Sequence, residues 1–255
     1  MKTSIKMIVT DLDGTLLRSD KTISEYTKTV LKKCREAGIK VVYATGRGES
    51  MENIVFSDRD LFDGIITANG ATAKIGDEVV YSRSIPYLIA RPLLMAIDKR
   101  GLLAASQTPD THYANFTVTD VWPEITNFKL TDFSRHDKDA EKLYIYNPVP
   151  EDRAFIESLL SDELYLIMAM DGLAMIMHKD ATKSKAAGRL ASIWGIVPCE
   201  IAAFGDDLND KDMLAYAGIG MAMGNALDEV KAISDFVCLT NDEDGLAKWI
   251  EEHIF

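Results

Sequence analysis

Asp11 and Asp13 stand one residue apart at the end of an apolar, β-prone run, Ile5 to Val9, and Gly14 follows at once. In an open parallel α/β sheet, ligands bind just beyond the carboxyl ends of the strands, which places both acids at the mouth of a pocket. Gly14 permits a tight turn that brings them into one site. The same residues also read as an Asp-Gly turn with a solvated acid ahead of it, and this stretch alone leaves both readings open. Three more polar groups sit just after predicted core strands: Thr45, Asn69, and Asp206 with Asn209 and Asp210. Together they deliver carboxylates, a hydroxyl and amides to one edge of a sheet. Carboxylates that converge without neutralising bases call for a hard cation, and oxygen ligands favour Mg²⁺. An EF-hand is excluded, because Asp13 is followed directly by Gly14 and the loop lacks the later ligands and the bidentate Glu.

The elements that must position these groups alternate strand and helix at both ends of the chain. Thr22-Ile23-Ser24-Glu25 offers hydroxyl caps to a helix running to about Ala37 and stopping at Gly38. Strands follow at Ile39 to Ala44 and Gly64 to Ala68, with a helical stretch from about Glu49 between them. After residue 70 the pattern changes. Gly76-Asp77 and Asp171-Gly172 are two-residue hairpin signals, Pro86 opens a helix ending at Gly101, and another spans about Pro150 to Leu160. Short strand-like runs lie at Leu102–Ser106, His112–Val118 and Leu143–Tyr146, while Thr119 to Lys142 reads as loop-rich connection. From Thr182 the alternation returns: a helix to Trp194, a strand at Ile201–Phe204, helices at Asp212–Ala217 and Ala226–Ala232, strands at Ile219–Met221 and Phe236–Leu239, and a closing helix near Asp244. The expected fold class is α/β, a doubly wound, mainly parallel Rossmann-like core sheet with an inserted α+β cap domain.

Composition narrows the function classes. Lys and Arg total 28 against 40 Asp and Glu, a formal charge of −12, which opposes sequence-independent binding to nucleic acid or to an anionic membrane. Three cysteines (Cys34, Cys199, Cys238) have no metal-ligand spacing, and their odd number suits a reducing compartment. With no leader-like start and no stretch long enough to span a bilayer, the expectation is a cytoplasmic monomer or small homo-oligomer.

Asp11-Leu12-Asp13-Gly14-Thr15-Leu16, Ala44-Thr45-Gly46-Arg47, Lys183 before a helix, and Gly205-Asp206-Asp207-Leu208-Asn209-Asp210 resemble the four motifs of the haloacid dehalogenase superfamily. Within it the chain resembles the Cof-type phosphatases, which carry a type II cap between the second and third motifs. Met221-Ala222-Met223-Gly224-Asn225-Ala226 and Asn241-Asp242-Glu243-Asp244-Gly245 also resemble that subfamily. The resemblance covers residues 1–83 and 181–255 as catalytic core and leaves 84–180 as cap. It implies a phosphatase for small phosphorylated metabolites, with Asp11 as nucleophile and Asp13 as general acid and base. Mg²⁺ would be held by Asp11, the backbone carbonyl of Asp13, and Asp206, with Asp210 supporting the metal. Thr45, the Gly46 amide and Lys183 would hold phosphoryl oxygens, and Asn209 would position Lys183 or the substrate.

Each assignment has a plainer rival. Thr45 also reads as a helix cap, and Asp210 and Asp212 as acids complementing a helix dipole. Lys183 competes with Lys179 and Lys185; its spacing to Ala186-Ala187 and Leu190 favours it. Arg47 reads as an ordinary surface ion pair and stays outside the catalytic set. The four histidines (His112, His136, His178, His253) show no nucleophile or ligand spacing and read as surface or packing residues, and Met168, Met170, Met175 and Met177 as core fill. Tyr113, Asn115 and Asp171 are cap candidates only because they lie in or beside loops. A phosphomannomutase-like phosphoryl transferase and a non-catalytic binding protein on the same scaffold are the alternatives. The segment from Asp13 to Thr45 is too short for a type I cap.

Overall fold

Met7–Thr10 forms β1, and all four residues are buried, as expected of a parallel strand covered on both faces. The protein is described here by a computed structural model covering residues 5–48, 56–123, 125–168 and 172–255. It divides into two compact units, one of Met1–Arg47, Asn53–Ser82 and Thr182–Phe255, the other of Gly48–Glu52 and Arg83–Ala181. No helix among the described residues is long and apolar enough to cross a membrane.

The strands of the first unit are β1, β2 (Lys40–Ala44), β3 (Gly64–Thr67), β4 (Thr72–Ile75) and β5 (Glu78–Ser82). After six strands that belong to the other unit come β12 (Ile201–Gly205), β13 (Ile219–Ala222) and β14 (Phe236–Val237). They make one sheet in the order β14-β13-β12-β1-β2-β3-β4-β5. The six strands from β14 to β3 are parallel, whereas the hairpin at Gly76-Asp77 adds β4 and β5 antiparallel at the edge. The chain therefore steps outward from β1 to β3 in one direction and from β12 to β14 in the other. The reversal falls between β1 and β12, the crevice where open α/β sheets place their ligands. Helix α1 (Glu25–Glu36) starts on Ser24, whose Oγ accepts from the Thr27 amide at 3.0 Å. Helix α4 (Lys183–Ile193) starts on Thr182 and buries Ala186, Ala187, Leu190 and Ala191 in the core.

The second unit is a six-stranded sheet in the order β10-β11-β9-β6-β7-β8. Its strands are β6 (Ala104–Gln107), β7 (His112–Ala114), β8 (Phe128–Leu130), β9 (Lys142–Ile145), β10 (Leu164–Met168) and β11 (Ala174–His178). Helices α2 (Tyr87–Lys99) and α3 (Pro150–Leu159) bury Leu93, Leu94, Ile97 and Ile156 together with Leu143, Ile145 and Ile176. A smaller apolar cluster, including Ala105, Ala114, Tyr144, Met175, Phe116 and Ile125, forms separately.

Strand β8 corrects the reading of Thr119 to Lys142 as connection. Three partly exposed residues paired parallel to β7 at a sheet edge are too few for a period-two pattern to register. The helical stretch expected from Glu49 lies outside the described residues as far as residue 55, and Phe56–Leu61 is a 3₁₀ helix. Asp171 and Met170 also lie outside them, whereas Met175 and Met177 are buried.

Candidate active site

The tips of β1 and β12 supply the acids. Beyond Thr10 the Asp11 amide still donates to the Phe204 carbonyl at 2.9 Å, and Leu17 N–H then returns to the Leu12 carbonyl at 2.8 Å, curling the loop back. Gly14 takes φ +80°, and a Cβ there would collide with the Asp206 carboxylate. Glycine is thus required twice, for its backbone angle and for its bareness. Thr15 Oγ1 donates to Asp206 Oδ1 at 2.6 Å, tying the first loop to the fourth.

Lys183, the first residue of α4, is 1% exposed. Its Nζ donates to Asp11 Oδ1 and to Asp210 Oδ1, both at 2.6 Å. The other oxygen of Asp210 accepts the amides of Asp206 at 3.0 Å and Asp207 at 3.1 Å. Carboxylate oxygens of Asp11, Asp206 and Asp210 all lie within 4.8 Å of one another. Three carboxylates against one ammonium leave two negative charges in a buried place, the imbalance a divalent cation corrects. The protonation tendencies follow. Burial pushes the Asp11 carboxyl well above its usual range, Lys183 opposes it, and Asp210 and Asp206 add to it. Burial likewise raises Asp206, to about 6, against the Thr15 hydrogen bond. For Lys183, burial works to lower the pKa, but Asp11 and Asp210 outweigh it and hold the ammonium firmly charged.

Asp13 belongs to a different arrangement. Arg47 grips its carboxylate with both arms, Nε to Oδ2 at 2.7 Å and a terminal nitrogen to Oδ1 at 2.6 Å, and Lys21 Nζ reaches Oδ1 at 2.8 Å. Burial alone would raise this carboxyl, but the hydrogen bonds from Arg47 and Lys21 overcome it and lower the pKa. Arg47 is therefore no ordinary surface pair, as its sequence position suggested. Two N–H donors fit two carboxylate oxygens in one plane, which gives the contact direction as well as charge. Lys21 was not signalled by any motif.

The tips of β2 and β3 bring a third group together. Thr45 is buried; its Oγ1 accepts the Arg47 amide at 3.1 Å, and its carbonyl accepts the Asn69 amide at 2.9 Å. Asn69 sits at φ +54°, in the left-handed region that Asn tolerates. Its Oδ1 accepts Asn209 Nδ2 at 2.9 Å, and a Cβ on Gly46 would touch the same oxygen at 3.0 Å. Asn209, expected to position Lys183 or the substrate, donates this hydrogen bond to Asn69. Lys185 is exposed on α4 and Asp212 accepts the Ser184 amide at 3.0 Å, so neither joins the cluster. Of the cap candidates, Asn115 closes a turn by bonding the Ala104 amide, Asp98 and the Leu102 carbonyl. Tyr113 packs on the His136 ring.

The family model for haloacid dehalogenase-like hydrolases matches residues 8–250. The chain is 30% identical over 267 residues to the 5-amino-6-(5-phospho-D-ribitylamino)uracil phosphatase YitU of Bacillus subtilis, covering 99% of each. It superposes on the solved HAD subclass IIB sugar phosphatase BT4131 with a TM-score of 0.86 at 28% identity, covering 97% of this chain and 98% of that one. Against the HAD phosphatase BT1666 of Bacteroides thetaiotaomicron the TM-score is 0.86 at 29% identity, over 98% of this chain and 95% of that one. Four strand tips that gather three carboxylates, a buried lysine and a threonine–asparagine pair thus occur in a chain that belongs to the haloacid dehalogenase-like hydrolases, among their Cof-type phosphatases.

Proposed function

We propose that this chain hydrolyses monophosphate esters of small metabolites, sugar phosphates or similar, through a phosphoaspartate on Asp11. The observation that carries the reading is the Lys183 ammonium placed 2.6 Å from both Asp11 and Asp210, at the sheet's switch point. An Asp11 oxygen attacks phosphorus while the bond to the ester oxygen breaks, and Asp13 passes a proton to that departing oxygen. Water then attacks the phosphoaspartate, Asp13 takes the water's proton, and Asp11 is released with inorganic phosphate. Asp13 serves only after its carboxylate loosens from Arg47 and Lys21. Thr45, the Gly46 amide and Lys183 hold the phosphoryl oxygens; Asn209 fixes Asn69 beside them.

The donor set fits a hard cation, since Asp11 and Asp206 each keep an oxygen outside the hydrogen bonds described above. Mg²⁺ would be held by Asp11, Asp206 and the Asp13 carbonyl, and it would supply charge compensation between two anions that otherwise repel. Asp210 is spent on Lys183 and on two backbone amides, so it supports from behind. Residues 84–180 are proposed as the substrate-selecting cap.

The test is a phosphate-release screen over phosphorylated metabolites, with and without Mg²⁺. Turnover is expected to vanish in excess chelator and return with Mg²⁺. Asp11→Asn should leave only background, and Asp13→Asn should slow release by ~10²–10⁴-fold on substrates with poor leaving groups. Full activity in chelator, or of Asp11→Asn, defeats the proposal; phosphate passed to a sugar instead of water makes the enzyme a transferase.

A further inference from the structure

The second unit holds a polar row that the phosphoryl site does not use. His112 of β7 pairs with Gln107 of β6, and Gln107 pairs with Lys142 of β9, so the three side chains stand side by side on one face of the sheet. All three are at most 8% exposed. Tyr144, two residues on from Lys142, shares the face, and its hydroxyl meets His112 Nδ1 at 3.0 Å. The other ring nitrogen, His112 Nε2, is buried and has no hydrogen-bond partner. Burial also keeps this ring neutral, with its pKa down at about 4 and Lys142 acting in the same direction. An orphaned polar atom in a native interior asks for a missing water or ligand.

These residues line a cavity of about 90 Å³ whose remaining wall is Trp122, Ile125 and Leu173. A water needs roughly 10–15 Å³ on this measure, so the space has room for several waters or for a six-membered ring. A flat ring turns apolar faces to that wall and presents its polar edge to the row. Gln107 Nε2 donates to Glu141 Oε2 at 3.3 Å and has a second N–H, and the Lys142 ammonium carries three, so acceptors on that edge suit the row.

We propose that this cavity is a binding site for a flat heteroaromatic ring edged with carbonyl oxygens. Binding requires no phosphoryl group, so the site is tested independently of the phosphatase reading. The probe is 5-aminouracil added to the whole protein carrying ¹⁵N-labelled tryptophan, with the Trp122 indole signal assigned by Trp122→Phe and ribitol as the non-aromatic control. The expected result is a saturable shift of that signal with 5-aminouracil and none with ribitol. Gln107→Leu should weaken binding at least fivefold. The double change His112→Phe with Tyr144→Phe should weaken it at least tenfold and leave the melting temperature equal or higher, because the orphaned nitrogen and the hydroxyl bonded to its ring leave together. A merely structural histidine would instead give a lower melting temperature. No saturable shift, an equal shift with ribitol, or unchanged binding in both variants overturns the proposal and leaves a cavity for water only.

Discussion

Asp206 shows most plainly what one site residue costs the fold. Its carboxyl has a pKa of about 6 instead of 3.8, chiefly through burial. The folded protein therefore holds this proton more tightly than the unfolded chain. The resulting stability is complete below the unfolded value and is lost as pH rises through about 6. Metal-free protein is consequently penalised at neutral pH. Asp206→Asn keeps an oxygen for the Thr15 hydroxyl and removes the charge. Denaturant melts in chelator should show it more stable than wild type by about 1–3 kcal/mol near pH 8, with the gain gone at about pH 3.5, while phosphate release is abolished. A destabilised Asp206→Asn at high pH would mean that the carboxylate is already compensated. On the proposed function, activity and stability pull this residue in opposite directions.

At the scale of elements, the ends of helices hold the loops of the candidate site. Asp244, in the left-handed region at φ +57°, opens α7 (Gly245–His253). Its carboxylate accepts from Ser24 at 2.6 Å, Thr27 at 3.1 Å and the Arg18 guanidinium at 2.5 Å. One acid thereby pins the start of α1, the segment after the Asp11–Leu17 loop, and the last helix. Burial raises this carboxyl, but the bonds from Arg18, Ser24 and Thr27 prevail and lower it. Its contribution is present above the ordinary carboxylate range and lost as pH falls below about 4. Asp244→Ala should destabilise by about 1.5–3 kcal/mol at neutral pH, measured by urea titration, and by little in acid.

The same scale explains what could be read in advance. Asp11, Thr45, Asn69 and Asp206 were legible because each ends an apolar run, and parallel strands bring such ends to one edge. Lys183 was legible from its place at a helix start. Arg47 was not, because a sequence does not say that a guanidinium folds back onto an acid 34 residues earlier. The row His112, Gln107 and Lys142 was invisible for a related reason: only the register of three strands, two of them far apart in sequence, makes neighbours of them. Histidine and lysine in short, mixed strands carry no periodic signal.

For the whole molecule, the charge of −12 and the unbalanced carboxylates at the switch point act together. A divalent ion that binds only the folded form adds stability with its concentration, about 2.7 kcal/mol at a hundredfold excess over its dissociation constant. Mg²⁺ should therefore raise the melting temperature of wild type in calorimetry, and the increment should disappear in Asp206→Asn. An equal rise in both would assign the effect to general screening of the acidic surface.

Strand β1 pairs on one side with Lys40–Tyr43 and on the other with Ile201–Phe204. On the ribosome the first partner follows within seconds, but Met7 waits for Ile201 through roughly 10–40 s of synthesis at ordinary elongation rates. Throughout that interval this strand, buried in the folded protein, offers a bare hydrogen-bonding edge. Threading a second folding unit between the two halves of one sheet thus lengthens the time for which this edge goes unpaired during translation.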